Sequence, residues 1–231
     1  NLKRILDKNI SFGTNNKIFI IGAGPSGVEL ACKISDVYKS KFEVIIVEKT
    51  SGILNNSKIF NKEEAEKTID RKNINLMKNC SVLEITDKKI LISNNLNQID
   101  DLQYFAVIWT AGIKPNLPEF NKRINTINNK ILINNNLQLQ DFPNVFAIGD
   151  ISQIASNNSF PITAQVAMQQ GKHVALNLKK LINNEKLLPF KFNDNGEMIS
   201  LGIGEASISG VGLTFSGKLA FDFRRIIYAS K

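Results

Sequence analysis

The residues with the clearest chemical meaning are Gly22-Ala23-Gly24-Pro25-Ser26-Gly27, which space three glycines as GxGxxG. That spacing suits a pyrophosphate. Gly22 permits a tight turn, Gly24 lets the phosphates approach the backbone, and Gly27 lets a helix pack on a strand. Glycine turns are common, so the flanks decide. Lys17 to Ile21 (KIFII) is an apolar run suited to a buried strand, and Val28 to Tyr38 has helical spacing. Glu43 to Val47 (EVIIV) reads as a second buried strand. It leads into Glu48, 21 residues past Gly27, where a carboxylate accepts from a ribose 2′-hydroxyl. This βαβ unit predicts a nicotinamide dinucleotide with its phosphates at the helix amino terminus, beside Pro25 and Ser26. Glu48 favours NADH by repelling a 2′-phosphate, while the adjacent Lys49 leaves NADPH open. Glu29 reads by itself as a first-turn acid favourably placed against the helix dipole.

A second motif, Asn144 to Asp150 (NVFAIGD), reads as a strand over Val145 to Ile148 that closes on Gly149-Asp150. An aspartate there can bond ribityl or ribose hydroxyls, and Gly149 allows close backbone approach. Alone, the pair is ambiguous. Thr163 to Leu181 follows as a proline-free helix bearing Ala164, Gln165 and, one turn on, Gln169. Without further context the glutamines read as a solvated face, and Ala164, Ala167 and Gly171 as close packing. The single histidine, His173, excludes a Ser-His-Asp triad or a multi-histidine metal site within this chain, and it reads as a helix-surface residue. Cys32 and Cys80 fit no CxxC spacing, and Cys32 reads as a packing residue.

These residues must be carried by alternating strands and helices, which argues for α/β with parallel sheets. Residues 1–16, with a Leu2/Ile5/Leu6 stripe, read as a helix end and linker. Glu63 to Arg71 reads as a charged helix, Ile74 to Leu76 as a strand, and Ser81 to Ile85 with Lys89 to Ile92 as a hairpin. Tyr104 to Trp109 reads as a buried strand closed by Thr110-Ala111-Gly112, and Lys130 to Ile133 as a short strand. Lysine plus arginine (29) exceed aspartate plus glutamate (21), which suits anionic partners. No nucleic-acid-binding motif accompanies the excess, so nucleic acid is not expected. No apolar run reaches the roughly 18–20 residues of a membrane span.

In order, GAGPSGVELA, WTAGIKPN, NVFAIGD and ITAQVAMQQG resemble the motifs of type II NAD(P)H:quinone oxidoreductases, of the FAD-dependent pyridine nucleotide-disulfide oxidoreductase superfamily. The tail LLPFKFNDNGEMISLG is most similar to the cyanobacterial and plastid branch. The resemblance implies a Rossmann-like NAD(P)-binding domain followed by part of a second, FAD-binding Rossmann-like domain. It divides the chain into 1–16 (linker and end of a first FAD segment), 17–112 (NAD(P)H-binding), 113–181 (second FAD-binding segment) and 182–231 (carboxyl-terminal segment). It implies FAD and NADH, with NADPH open, and two electrons passed from NAD(P)H through flavin to a membrane quinone without proton pumping. Cofactor contacts fall on Gly22, Gly24, Pro25, Ser26, Gly27, Glu48, Ala111, Gly112, Gly149, Asp150, Ala164 and Gln165. Catalytic roles fall on Glu29 beside the nicotinamide and on Gln165 and Gln169 beside the quinone.

The resemblance also implies peripheral association with the cytoplasmic face of a membrane, begun by Leu219, Phe221, Phe223, Ile226, Ile227 and Tyr228 with Arg224 and Arg225. A packed terminal element with solvated arginines is the alternative, and a homodimer stays open. The family carries an amino-terminal FAD-binding unit with its own GxGxxG, and only 21 residues precede Gly22. Two other readings stand. The chain is a nucleotide-binding module without activity by itself, or another flavoprotein reductase of the superfamily, of the ferredoxin or rubredoxin type.

Overall fold

A strand built as KIFII has no polar face, so it is stable only when covered on both sides. In the computed structural model of the chain, which describes residues 4, 6, 16–38, 41–155 and 160–229, β1 (Lys17–Ile21) takes that position. It lies between β2 (Glu43–Val47) and, after β3 (Asn75–Met77) and the antiparallel meander β4 (Cys80–Ile85), β5 (Lys89–Asn94) and β6 (Ile99–Gln103), β7 (Ala106–Trp109). The sheet runs β3-β2-β1-β7, with every pair parallel. Alternation assigns its two faces. Ile18, Ile20, Val44 and Ile46 meet the helices α1 (Pro25–Tyr38) and α2 (Ile59–Arg71). Phe19, Ile21, Ile45 and Val47 meet Cys80, Ile90 and Ile92 of the meander.

The chain divides into two compact units: Asn1–Gly112 together with Asn195–Lys231, and Ile113–Asp194. The stretch 182–231, expected as one segment, is therefore shared between them. In the first unit, β11 (Glu197–Ser200), β12 (Ala206–Gly210) and β13 (Leu213–Gly217) form an antiparallel sheet followed by α4 (Lys218–Ala229). The sheet lies between α2 and α4. Ile199 and Leu201 join the core beside α2, and Ile208 packs with Ala220 of α4. Glu197 fastens the sheet to α2: its Oε2 accepts from the Lys58 N–H (3.0 Å) and Asn61 Nδ2 (2.9 Å). The carboxylate so placed caps the positive end of that helix.

The second unit contains the hairpin β8 (Thr126–Ile127) and β9 (Lys130–Ile133), with β10 (Ser152–Ile154) parallel to β9. Asn128 and Asn129 turn the hairpin at φ 51° and 63°. Helix α3 (Ala164–Ile182) is capped by Thr163, whose Oγ1 accepts from the Val166 N–H. The strand expected over Val145 to Ile148 is an extended segment with one bridge, Gln138↔Phe146. Its amides are engaged nonetheless, for Ala147 N–H donates to Leu137 O at 3.1 Å. Leu137, next to the bridged Gln138, is left-handed (φ 69°). Leu2, Ile5 and the linker expected after them lie outside the described residues, whereas Leu6 is helical and buried in the first unit's core.

Candidate functional site

The three glycines of the turn answer to three different neighbours. Gly22 (φ 102°) needs glycine for its backbone, and a Cβ there would lie 3.0 Å from Ala111 Cα. Gly27 is forced by packing: its Cβ would fall 2.0 Å from Gly22 O. Gly24 has nothing within 4 Å of its absent Cβ, so the protein itself leaves that space open. The turn is pinned by the Gly22 N–H to Val47 O (2.8 Å) and by Thr110, whose Oγ1 donates to Ile21 O (2.8 Å). Ala111 thus sits against the turn, and Gly112 (φ 84°) carries the chain out of the unit.

Helix α1 begins at Pro25, where the missing N–H costs nothing in the first turn. The first-turn amides of Ser26 and Gly27 have no intrahelical acceptor by position, so they and the helix dipole favour an anion. The early start corrects the reading of Glu29. It stands in the second turn of α1, half-buried, and its Oε1 accepts from the Ser200 N–H at 2.8 Å and lies 3.4 Å from Arg224 Nη2. Arg224 is also half-buried, with its guanidinium 4.8 Å from the centre of the Tyr228 ring. It is not the solvated arginine one reading expected, whereas Arg225 is exposed.

Glu48 stands just past β2, beside the glycine turn. Its Oε2 accepts from the Ala23 N–H (2.8 Å), and its Oε1 accepts from the Thr50 N–H and Oγ1 (both 2.8 Å). Partial burial works to raise its pKa, but the donors on Ala23 and Thr50 outweigh it and hold the carboxyl below its ordinary value. The group is therefore ionised and fixed in direction. An ionised carboxylate accepts at two lobes on each oxygen, so this one can also receive an incoming hydroxyl. Thr50 and its partner Asn55 carried no spacing signal, because they meet Glu48 through a turn whose geometry the sequence does not display.

In the second unit, Gly149 (φ 71°) opens the 3-10 turn Gly149–Ile151, and Asp150 beside it is exposed, with no hydrogen bond or ion pair among the described residues. The turn is held by Gln170, a residue sequence reasoning passed over. It is 2% exposed, and its Oε1 accepts from the Gly149 N–H at 2.7 Å. The available signal was the inward stripe Val166, Gln170, Asn177 on α3. Ala164 is the exposed first residue of α3 and Gln165 is half-buried beside it. Gln169 is committed at both ends of its amide: Nε2 donates to Asn193 O (2.8 Å) and Oε1 accepts from Asn193 N–H (3.0 Å). His173 is half-buried rather than on the helix surface, with Nε2 2.8 Å from Leu188 O. Cys32 is fully buried, and burial pushes its thiol up to about 12.

These features fit the groups the motifs imply. The open space at Gly24 and the fixed Glu48 carboxylate suit a dinucleotide; the positive-φ glycine and the exposed Asp150 suit a polyol such as a ribityl chain. Known proteins resemble the chain in sequence or in fold. The chain is 32% identical over 92% of its length to demethylphylloquinone reductase NdbB of Synechocystis, covering 53% of that protein. It is 30% identical over 98% of its length to the alternative NAD(P)H-ubiquinone oxidoreductase C1, chloroplastic/mitochondrial, of Arabidopsis thaliana, covering 48% of it. It thus spans about half the length of the curated relatives it matches. NDH2 of Plasmodium falciparum, solved in complex with NADH, superposes with a TM-score of 0.82 at 16% identity, over 97% of this chain and 65% of that one. Residues 2–171 match the pattern of the pyridine nucleotide-disulphide oxidoreductases. The chain belongs to the pyridine nucleotide-disulphide oxidoreductase family.

Proposed function

We propose that the first unit binds the NADH of an FAD-dependent NAD(P)H:quinone oxidoreductase and that the second contributes part of its flavin site. The observation that carries this reading is the pairing of open space at Gly24 with the ionised, immobilised Glu48 carboxylate. The Ser26 and Gly27 amides take the pyrophosphate and Glu48 the ribose, with Ala111 and Gly112 beside the turn. FAD held there would supply the two-electron relay between the nicotinamide's hydride and a quinone, without proton pumping. On the chain's side, Asp150 accepts from a ribityl hydroxyl, Gly149 lets the polyol lie against the backbone, and Ala164 and Gln165 meet the ring edge. Glu29, braced by Ser200 and Arg224, orients the reduced nicotinamide; Gln165 serves the quinone side, with Gln169 lining it while its amide stays held by the Asn193 backbone.

The names of the relatives support a quinone as acceptor. The outward stripe Leu219, Phe223 and Ile226 on α4, exposed at 78%, 47% and 66%, supports peripheral attachment to a membrane surface. Among the described residues no helix is long and apolar enough to cross a membrane.

Titrating the purified chain with NADH, by calorimetry, tests the nucleotide assignment: saturable binding is expected, and its absence refutes it. The visible flavin band of the same preparation tests the second assignment. A colourless protein that neither takes up FAD nor reduces a quinone, yet binds NADH, is a nucleotide-binding module only.

A further inference from the structure

The Glu48 carboxylate does not hold its direction alone. Thr50 supplies two of its donors, the backbone N–H and Oγ1. A threonine hydroxyl has one hydrogen to give, and it has two acceptors within reach: Glu48 Oε1 at 2.8 Å and Gly52 O at 3.0 Å. Asn55 bears on that choice, because its Nδ2 donates to Thr50 Oγ1 at 2.7 Å and occupies an acceptor lobe of the same oxygen. Asn55 is itself placed by the backbone: Leu54, at φ 49°, donates its N–H to Ala23 O at 2.9 Å, tying the loop after β2 to the glycine turn. The result is a closed circuit in which the turn that receives the phosphates also fixes the acid that receives the ribose.

We propose that Thr50 and Asn55 determine nucleotide specificity, by locking Glu48 as a rigid acceptor that takes a ribose 2′-hydroxyl and rejects a 2′-phosphate. The inference rests on the dinucleotide reading above and deepens it. A ribose hydroxyl brings a donor that the fixed carboxylate can accept. A 2′-phosphate brings only acceptors and like charge, so it binds only if the carboxylate turns aside. Exposed Lys49, with no ion pair among the described residues, is then the natural partner for the phosphate. The Thr50–Asn55 pair keeps the carboxylate from turning, so rejection of NADPH comes from rigidity as much as from charge. Both residues are positioning residues, acting through Glu48.

The test compares dissociation constants for NADH and NADPH, with melting temperatures, in the full chain and in Thr50→Val, Thr50→Ser and Asn55→Ala. Thr50→Val keeps the shape and the backbone donor but removes the hydroxyl. It is expected to weaken NADH roughly five- to tenfold, the order of one hydrogen bond to a charged group. NADPH should weaken less, so the preference ratio contracts. Thr50→Ser should keep the wild-type ratio, and Asn55→Ala should shift it in the same direction as Thr50→Val, which keeps the test decisive if Thr50→Val misfolds. If the wild-type chain binds NADH but these variants leave the ratio unmoved, even with both affinities reduced together, this inference falls and the dinucleotide reading stands. If the wild-type chain binds neither nucleotide, both fall.

Discussion

Replacing Gly24 and Gly27 in turn by alanine should separate what the turn does for the fold from what it does for a ligand. At Gly27 the added methyl would lie 2.0 Å from Gly22 O, against 3.4 Å for ordinary contact. Both parties are backbone, one in α1 and the other at the end of β1, so the helix and strand must part by more than an ångström. Overpacking of that kind costs about 3 kcal/mol or more. At roughly 2–4 °C per kcal/mol, Gly27→Ala should melt some 6–12 °C below wild type. At Gly24 nothing lies within 4 Å and no positive φ is required, so Gly24→Ala should melt at the wild-type temperature or slightly above it. Its methyl occupies the space assigned to the pyrophosphate, so NADH affinity should fall at least tenfold, about 1.4 kcal/mol. Differential scanning fluorimetry and isothermal titration on the two variants suffice. If Gly24→Ala binds NADH like wild type, the open space is not a phosphate cradle. If it melts as low as Gly27→Ala, the division of roles between the glycines is wrong.

Glu48 has a lower pKa folded than free, so it contributes stability above the ordinary carboxyl value of 4.5 that is lost as pH falls through its folded value. Glu48→Gln should therefore flatten the acid side of the melting profile below pH 4.5 and leave the neutral side parallel to wild type; parallel curves throughout would contradict this. Gln170→Leu leaves the Gly149 N–H without its acceptor and should cost about 1–3 kcal/mol in chemical denaturation; an unchanged midpoint would contradict the role given to Gln170. Burial raises the pKa of both thiols, so Cys32 and Cys80 should resist iodoacetamide at pH 8 in the native chain and react fully in denaturant, as read by mass spectrometry; rapid native labelling of Cys32 would place it outside the core.

The β1–α1–β2 unit was legible because its requirements are local: a glycine at positive φ, a proline at a helix start and two runs with no polar face each limit the backbone within a few residues. The inward role of Gln170 was not, because adjacent glutamines at 169 and 170 look alike until α3 shows which one points inward. The strand expected at Val145 failed for the opposite reason: its composition suits a strand, but pairing depends on what lies opposite, and there only Gln138 bridges to it, beside a left-handed Leu137 that no apolar pattern announces. β12 and β13 were missed because ASISG and LTFSG interleave serines with apolar residues. Such a run looks solvent-facing, yet Ser207 is fully buried between two helices. The half-buried place of Arg224 was hidden for a related reason, since its partner Glu29 lies 195 residues away in the chain.

That distance sets the order of events on the ribosome. Asn61 and Glu197 are 136 residues apart, so α2 emerges long before the sheet that covers its outer side. At ordinary elongation rates of roughly 5–20 residues per second the interval is on the order of ten seconds. Every residue of the second unit, Ile113–Asp194, is synthesised within it. The nascent chain must therefore shelter a half-clothed helix while a whole neighbouring unit is made. Chaperone demand during synthesis, rather than the equilibrium stability of either unit, is where this connectivity should weigh on yield.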